Sequence, residues 1–487
     1  MNVGKAISWS VSGQILSFVI SFGGSILVAR LLTPHDMGVF AIAMAIIAVL
    51  NTLSAFGVGT YVIRATELQA STLNSAFTLN ALLAIGMAAI ILTASAVERF
   101  QFDNLPVAQV LAPLAFSPLI GIFEFRPATM LQREMNFRVL SLINLARGLV
   151  AMVTVISLAL NGFVYMSLAY SNLISAVFSA VCMNVVAGKH AGFRLSLSEG
   201  RAMAAFGLNI MSINGVNSLA ARLSEIVLGN MLGLAALGLY SRATNVSSQI
   251  FENIYGGITR VLFVQLSTDF RERGVLRDAF LRGFEMITAL IWPLLIGLAI
   301  LSRPAVYILY GERWLGAAQP LSLLLIAQFV VIFYGMNWEL FVLRNETAKQ
   351  ARYEAIRAVA GVATFTIGCL FSISAAAVGR IAEALLGLAL YQPHMAKMAE
   401  TLPGELKRAY LTGGALTLAA VLPSFVLMLA EDWSHMTPPA LIAGAVFLGV
   451  IMWLILLIRL KHPLSVELQV IGRKLAVKWK GTAEKTS

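Results

Sequence analysis

Ser212–Arg260 reads SINGVNSLAARLSEIVLGNMLGLAALGLYSRATNVSSQIFENIYGGITR. It joins two apolar segments, Ala202–Gly229 and Ala236–Leu266, through the turn Asn230-Met231-Leu232-Gly233-Leu234. A bilayer core asks for about 20 apolar residues in a helix, and each segment is long enough to cross one. Yet the first segment holds Asn214, Asn217, Arg222 and Glu225, and the second holds Arg242, Gln249, Glu252, Asn253 and Arg260. At about 100° per residue, Arg242, Asn245, Gln249, Asn253, Gly256 and Arg260 fall on one narrow helix face. A charged side chain facing lipid costs on the order of several kcal/mol. The stripe is therefore expected to face protein or water, as one wall of a hydrophilic cavity inside a membrane protein.

The rest of the chain supports that setting. Of 487 residues 59% are hydrophobic and only 12% are charged, against roughly 25% charged in soluble domains. Cys182 and Cys369 both lie in apolar segments and offer neither a disulfide framework nor a metal-ligand cluster; no cofactor or metal is expected. The net charge of +11 does not point to nucleic acid, because most of the basic residues fall in short loops. The first apolar stretch, Ala6–Leu32, has one Lys before it and runs into Arg30, so it reads as an uncleaved first span.

A span-length window predicts an all-α polytopic membrane protein of about fourteen helices. Arg64, Arg126, Arg133, Arg138, Arg271, Arg277, Arg344 and Arg357 stand among many basic residues on one side. Arg30, Arg99, Arg303, Arg313 and Arg380 stand on the other. This positive-inside bias places both termini in the cytoplasm.

Ile26–Phe40 aligns without gaps to Ile226–Tyr240: Ile26, Leu32 and Gly38 match Ile226, Leu232 and Gly238. With the matching hydropathy, this repeat argues for two pseudo-symmetric six-helix bundles around a central cavity, residues 1–200 and 201–400. Two further helices would occupy 401–461, and a basic cytoplasmic tail 462–487. Repeated bundles with a site between them are a common plan of secondary transporters.

Ala29-Arg30-Leu31-Leu32-Thr33-Pro34-His35-Asp36-Met37-Gly38 resembles the first-loop signature of bacterial lipid-linked oligosaccharide flippases. These are the polysaccharide-exporter branch of the multidrug/oligosaccharidyl-lipid/polysaccharide superfamily. Gln132–Phe137 (QREMNF) resembles that branch's loop between spans four and five, Leu237–Ala243 (LGLYSRA) the start of its eighth span, and Gly311–Trp314 (GERW) its loop after span nine. Two positions depart from the pattern. Ser224 with Glu225 beside it stands where the family has an acidic residue, and Leu262–Gln265 lacks the usual Pro. The resemblance implies a substrate, a polyprenyl-pyrophosphate-linked oligosaccharide flipped across the bacterial inner membrane for surface polysaccharide such as exopolysaccharide, capsule or O-antigen. It also implies the bilayer, a polysaccharide polymerase and a chain-length regulator as partners, and no enzymatic activity.

That substrate suits the residues. Sugars are held by amides and hydroxyls, and pyrophosphate by Arg, whose planar fork matches it bidentately. The expected substrate contacts are Gln14, Arg30, Arg147, Asn214, Asn217, Arg222, Arg242, Gln249, Asn253 and Arg260, with Glu225 and Glu252 as candidates for ion coupling. Plainer readings stand beside these. Arg30 ends a span and either snorkels or caps it; Arg222 and Glu225, at i and i+3, either neutralise each other or serve the substrate. Arg260 lies near a span end. Arg147 has no evident local partner, and Glu339 and Glu383, near span ends, read as structural. Ser10, Gln14, Ser17, Ser21 and Ser25 share a face that serves either close packing or sugars.

Two rival functions remain. A multidrug cation antiporter of the same fold would favour an acidic, aromatic cavity, whereas the charges within these spans include several Arg. A membrane-embedded polymerase would need catalytic groups on a sizeable loop. The outside segments around Glu98–Asn104 and Tyr310–Gly316 hold no His.

Overall fold

A computed structural model describes residues 20–54, 58–65, 68–101, 104–188, 192 and 194–465, without the side chains of 52–54, 206–218, 253, 261 and 273. Among them every regular element is helical. Contacts divide the chain into two compact units, Met1–Ser241 and Arg242–Ser487.

The first unit holds α1 (Ile20–Leu31), α2 (Pro34–Ser54), α3 (Val58–Arg64), α4 (Ala70–Phe100), α5 (Leu105–Leu114), α6 (Phe116–Arg133), α7 (Phe137–Leu160), α8 (Met166–Val186) and α9 (Gly200–Leu232). It also takes in the first turns of α10 (Leu234–Ile250). Asp36 closes the start of α2 on Thr33, its carboxylate accepting from the Thr33 N–H at 2.9 Å and hydroxyl at 2.6 Å. That satisfies polar groups that a helix start leaves open. Val58 and Val62 of α3, Leu73 and Ala76 of α4 and Met203 of α9 form one apolar core. Leu131, Leu140, Ile143 and Met183 tie α6, α7 and α8 into another.

In the second unit α10 continues through a π-helical turn, Phe251–Tyr255, into α11 (Gly256–Arg273). There follow α12 (Arg277–Ile300), α13 (Ser302–Tyr310), a 3-10 turn Glu312–Ala317, α14 (Ala318–Ile332) and α15 (Asn337–Leu343). The unit closes with α16 (Thr347–Cys369), α17 (Ile373–Met398), α18 (Glu405–Ala430) and α19 (Pro439–Arg459). Buried Phe280, Phe284, Ile287, Ile291, Trp292 and Leu295 mark α12 as its central helix. Trp292 meets Phe329, Phe333 and Tyr410 at ring separations of 4.8, 4.7 and 6.4 Å. The last hairpin packs on α12: Arg277 pairs with Glu405, and Trp453 Nε1 donates to Ala289 O at 3.0 Å. On α19 only Gly449 and Leu457 are buried, the pattern of a helix whose remaining faces meet lipid.

Among the described residues ten stretches are long and apolar enough to cross a membrane: α2, α4, α5–α6, α7, α8, α12, Glu312–Leu343, α17, α18 and α19. Of the about fourteen expected, the first, Ala6–Leu32, lies partly outside the described residues and is represented by the short α1, and α9, α10–α11 and α16 fall short because amides and charges dilute their apolar surface. Examples are Asn209, Asn214, Asn217 and Arg222 in α9, and Arg352, Glu354 and Arg357 in α16. Gly274, at a φ of 70°, ends α11 and separates it from α12 within the basic stretch Arg271–Arg282. The tail beyond Ser465 lies outside the described residues.

Candidate functional site

The polar helix identified in the sequence is α10–α11, and its first turns are held from two directions. Gly238 packs on the start of α2, where a Cβ would lie 1.8 Å from the Pro34 carbonyl oxygen. One turn on, Arg242 is buried, only 4% exposed. Its guanidinium carbon sits 5.0 Å from the Tyr310 ring centroid and 5.2 Å from that of Trp314. A planar cation against two aromatic faces is a favourable, desolvated arrangement. Two of the short motifs read in the sequence, LGLYSRA and GERW, therefore meet in space through Arg242 and Trp314.

The stripe does not continue straight beyond that point. A π turn takes about one residue more than an α turn, so positions after Tyr255 are rotated by about 100° relative to uninterrupted helical spacing. Arg242 is buried, Asn245 exposed, Gln249 half-buried and Arg260 exposed, with Arg260 Nε donating to Gly256 O at 2.8 Å. The expected alignment of Arg242 with Arg260 assumed an unbroken helix, and the π turn removes it. Glu252, in the π turn, is exposed.

Arg222 and Glu225 form the ion pair that their spacing allowed, Arg222 Nη1 donating to the two carboxylate oxygens at 3.1 and 3.0 Å. Arg147 has a partner that the sequence did not show: Glu124 of α6 lies 3.6 Å away. The two come from different helices, so no local spacing announces them. Arg30 is exposed at the end of α1. Gln14 and the side chains of Asn214, Asn217 and Asn253 lie outside the described residues. Among the described residues no three His, Cys, Asp or Glu side chains are placed to hold a metal ion.

A second polar cluster, between α16 and α17, was not expected. Arg357 donates to Glu383 at 2.5 Å and to Glu354 at 2.6 Å, and Arg380 donates to the other Glu383 oxygen at 2.7 Å. Tyr391 Oη donates to the other Glu354 oxygen at 2.9 Å. The Tyr391 ring stacks on Tyr334 at 5.5 Å, and Arg380 lies over Phe365 at 4.7 Å. Two cations and two carboxylates cancel, and each guanidinium finds acceptors, which offsets the cost of burying charge. This corrects the charge-bias reading: Arg357 and Arg380, assigned there to opposite sides, share one carboxylate. Glu383 is likewise no span-end residue but the centre of the cluster. The signal available in sequence was the pair of i,i+3 couples Glu354/Arg357 and Arg380/Glu383, set in two consecutive apolar segments.

Among the described residues helices alone, many of them of membrane-crossing length, with guanidinium and amide groups set within them, define an integral membrane protein of the transporter class. A family model described as polysaccharide biosynthesis protein matches residues 27–319, and the chain belongs to that family. It is 24% identical over 339 residues to the succinoglycan biosynthesis transport protein ExoT of Rhizobium meliloti (strain 1021), covering 68% of this chain and 67% of that protein. The fold is similar to that of the lipid II flippase MurJ in an inward closed conformation, with a TM-score of 0.72 at 12% identity over 92% of this chain and 98% of that one. An inward-facing multidrug resistance MATE family transporter also shares the fold, with a TM-score of 0.59 at 13% identity over 80% and 99%.

Proposed function

We propose that this chain flips polyprenyl-pyrophosphate-linked oligosaccharide repeat units from the cytoplasmic to the outer leaflet of the bacterial inner membrane, supplying surface polysaccharide synthesis. The observation that carries the reading is the family match over residues 27–319, on a fold similar to that of a lipid II flippase. Flipping needs a shielded path for a sugar head and two phosphates while the lipid tail stays in the bilayer. Arg30 and Arg260 are exposed and Arg222 half-exposed, where a phosphate can reach their guanidinium forks. Arg147 joins them with its guanidinium partly exposed beside Glu124. Gln249, Asn214, Asn217, Asn253 and Gln14 supply amides for sugar hydroxyls. Arg242 reaches substrate only if its Tyr310–Trp314 box opens, so it is assigned a contact made in one state of the cycle. The Arg222–Glu225 pair and the exposed Glu252 are the groups assigned to ion coupling. The repeated halves, residues 1–200 and 201–400, are assigned to two bundles of parallel topology, with both termini cytoplasmic; a polymerase and a chain-length regulator are the assigned partners.

The test is mass spectrometry of membrane lipids from a strain lacking the gene. Accumulation of a polyprenyl-linked oligosaccharide, reversed by the wild-type gene, is expected. A lipid profile unchanged by the deletion, with surface polysaccharide intact, would sink the reading.

A further inference from the structure

One end of the first unit carries a cavity that the stripe on α10 does not touch. It is an open cleft of about 680 Å³, within the roughly 300–1,000 Å³ of small-molecule sites. Its walls come from the end of α4, from α5, from the turn leading into α8 and from the first turns of α8, and include Ser95, Arg99, Gln109, Phe163, Tyr165 and Tyr170. The walls are braced. Ser95 Oγ donates to Ala108 O at 2.8 Å and joins α4 to α5, while Tyr165 Oη donates to Gln109 Oε1 at 2.8 Å and joins α8's approach to α5. Because Gln109 uses its oxygen there, its two amide N–H donors remain for other partners. Phe163 and Tyr170 meet edge to face at 6.1 Å and 78°. Arg99 lies in the last turn of α4, over its neighbour Phe100 at 5.6 Å, and among the described residues no carboxylate pairs with it.

The chemistry of this lining selects a ligand class. Aromatic faces present flat apolar surface with a polar rim, which suits the C–H face of a sugar ring. Amide and hydroxyl groups suit its hydroxyls, and one guanidinium suits one carboxylate bidentately. A phospholipid phosphodiester carries the same single charge, but it lacks the ring hydroxyls that the amide and phenol groups of this lining would hold. We propose that this cavity is a saccharide-binding site whose preferred ligand carries a carboxylate, the sugar stacking on Tyr165 and Tyr170 and its acid group pairing with Arg99. The assignment rests on the flippase reading for the presence of a glycan at this end of the protein, which the charge bias of the loops makes the outer one.

The test uses the purified full-length chain in nanodiscs of neutral lipid, with free glucuronic acid and free glucose as probes in saturation-transfer NMR. Saturable binding of both is expected, with glucuronic acid the tighter. Arg99→Gln should weaken glucuronic acid by about tenfold, the worth of one charge-assisted hydrogen-bonded contact, and leave glucose unchanged. Tyr165→Ala should weaken both. Gln109→Ala, at an exposed position, keeps the ring faces and should also weaken both. Thermal unfolding and elution profiles show that each variant is folded. Three outcomes overturn the proposal: no saturable binding of either sugar, affinities that none of the folded variants changes, or full displacement of the sugars by phosphatidylglycerol, which would make this a lipid site. The flippase reading fails separately, on the lipids of the deletion strain.

Discussion

Gly38 and Gly238 stand at a reciprocal crossing of α2 and α10. A Cβ on Gly38 would lie 1.7 Å from the Leu234 carbonyl oxygen, and one on Gly238 would lie 1.8 Å from the Pro34 carbonyl oxygen. The two residues are partners in the repeat read from sequence, as are Pro34 and Leu234, so the same 200-residue offset recurs as a pseudo-symmetric contact. Each helix start is pressed against the other's glycine, and no side chain larger than hydrogen fits.

Gly38→Ala and Gly238→Ala should each destabilise the protein by about 1–3 kcal/mol through overpacking. Moving the two helices apart to relieve one clash also relieves the other. The double variant should therefore cost clearly less than the sum of the singles. Thermal unfolding of the purified proteins checks this, and strict additivity would mean that the two contacts are independent.

Arg242→Ala and Trp314→Ala should each lower the melting temperature, and their combination should cost less than the sum of the two by about the worth of the contact they share. The cation–π contact they share is worth about 0.5–2 kcal/mol. Arg242→Lys keeps a cation over the rings but loses the flat stacking surface, so intermediate stability and partial export are expected. Export must be measured beside protein level, since a stranded charge affects both. Wild-type export by a well-expressed Arg242→Ala protein would remove Arg242 from the substrate contacts.

Glu383→Gln should be severely destabilising, on the order of 3–5 kcal/mol, because it takes the charge from a carboxylate shared by Arg357 and Arg380 inside the protein. Adding Arg380→Gln should recover part of the loss by removing one stranded cation. Folded yield and unfolding midpoint in detergent report both effects. A Glu383→Gln protein as stable as wild type would mean that the cluster contributes little to holding α16 on α17.

The Arg222–Glu225 couple separates pairing from ion coupling. Reversing it, Arg222→Glu with Glu225→Arg, retains an i,i+3 attraction worth about 0.2–0.5 kcal/mol but moves the carboxylate by one turn. If Glu225 carries a coupling ion, the reversed protein should express normally and lose export. Undiminished export would restrict the pair to local charge neutralisation.

Orientation is open to direct labelling after replacement of Cys182 and Cys369. Cysteines at Leu197 and Leu402 should react with an impermeant maleimide only from the cytoplasmic side, and cysteines at Phe100 and Met436 only from outside. All four positions are exposed. Reversed labelling at these sites would invert the topology drawn from the basic loops.

The amino-acid sequence by itself determined the class of fold. Apolar length and the scarcity of charge leave a chain no stable place but the bilayer, where only structures that satisfy their own backbone survive. The Ile26–Phe40 and Ile226–Tyr240 alignment was also legible, because a helix start pressed against a glycine constrains residue types locally. The Arg222–Glu225 pair was open to reading for the same reason, since one helical turn brings i and i+3 together. What only the tertiary structure decided depends on partners far apart in the chain. Arg242 is covered by Tyr310 and Trp314 from another helix and a loop. Arg147 meets Glu124 across two helices, and Arg357 and Arg380 converge on Glu383. The π turn at Phe251–Tyr255 swings Arg260 away from Arg242, and periodicity counted along a uniform helix has no means of registering one wider turn. Whether a buried guanidinium binds substrate or a neighbour is settled by which acceptors the fold brings within hydrogen-bonding distance, and spacing along a single helix does not contain that information.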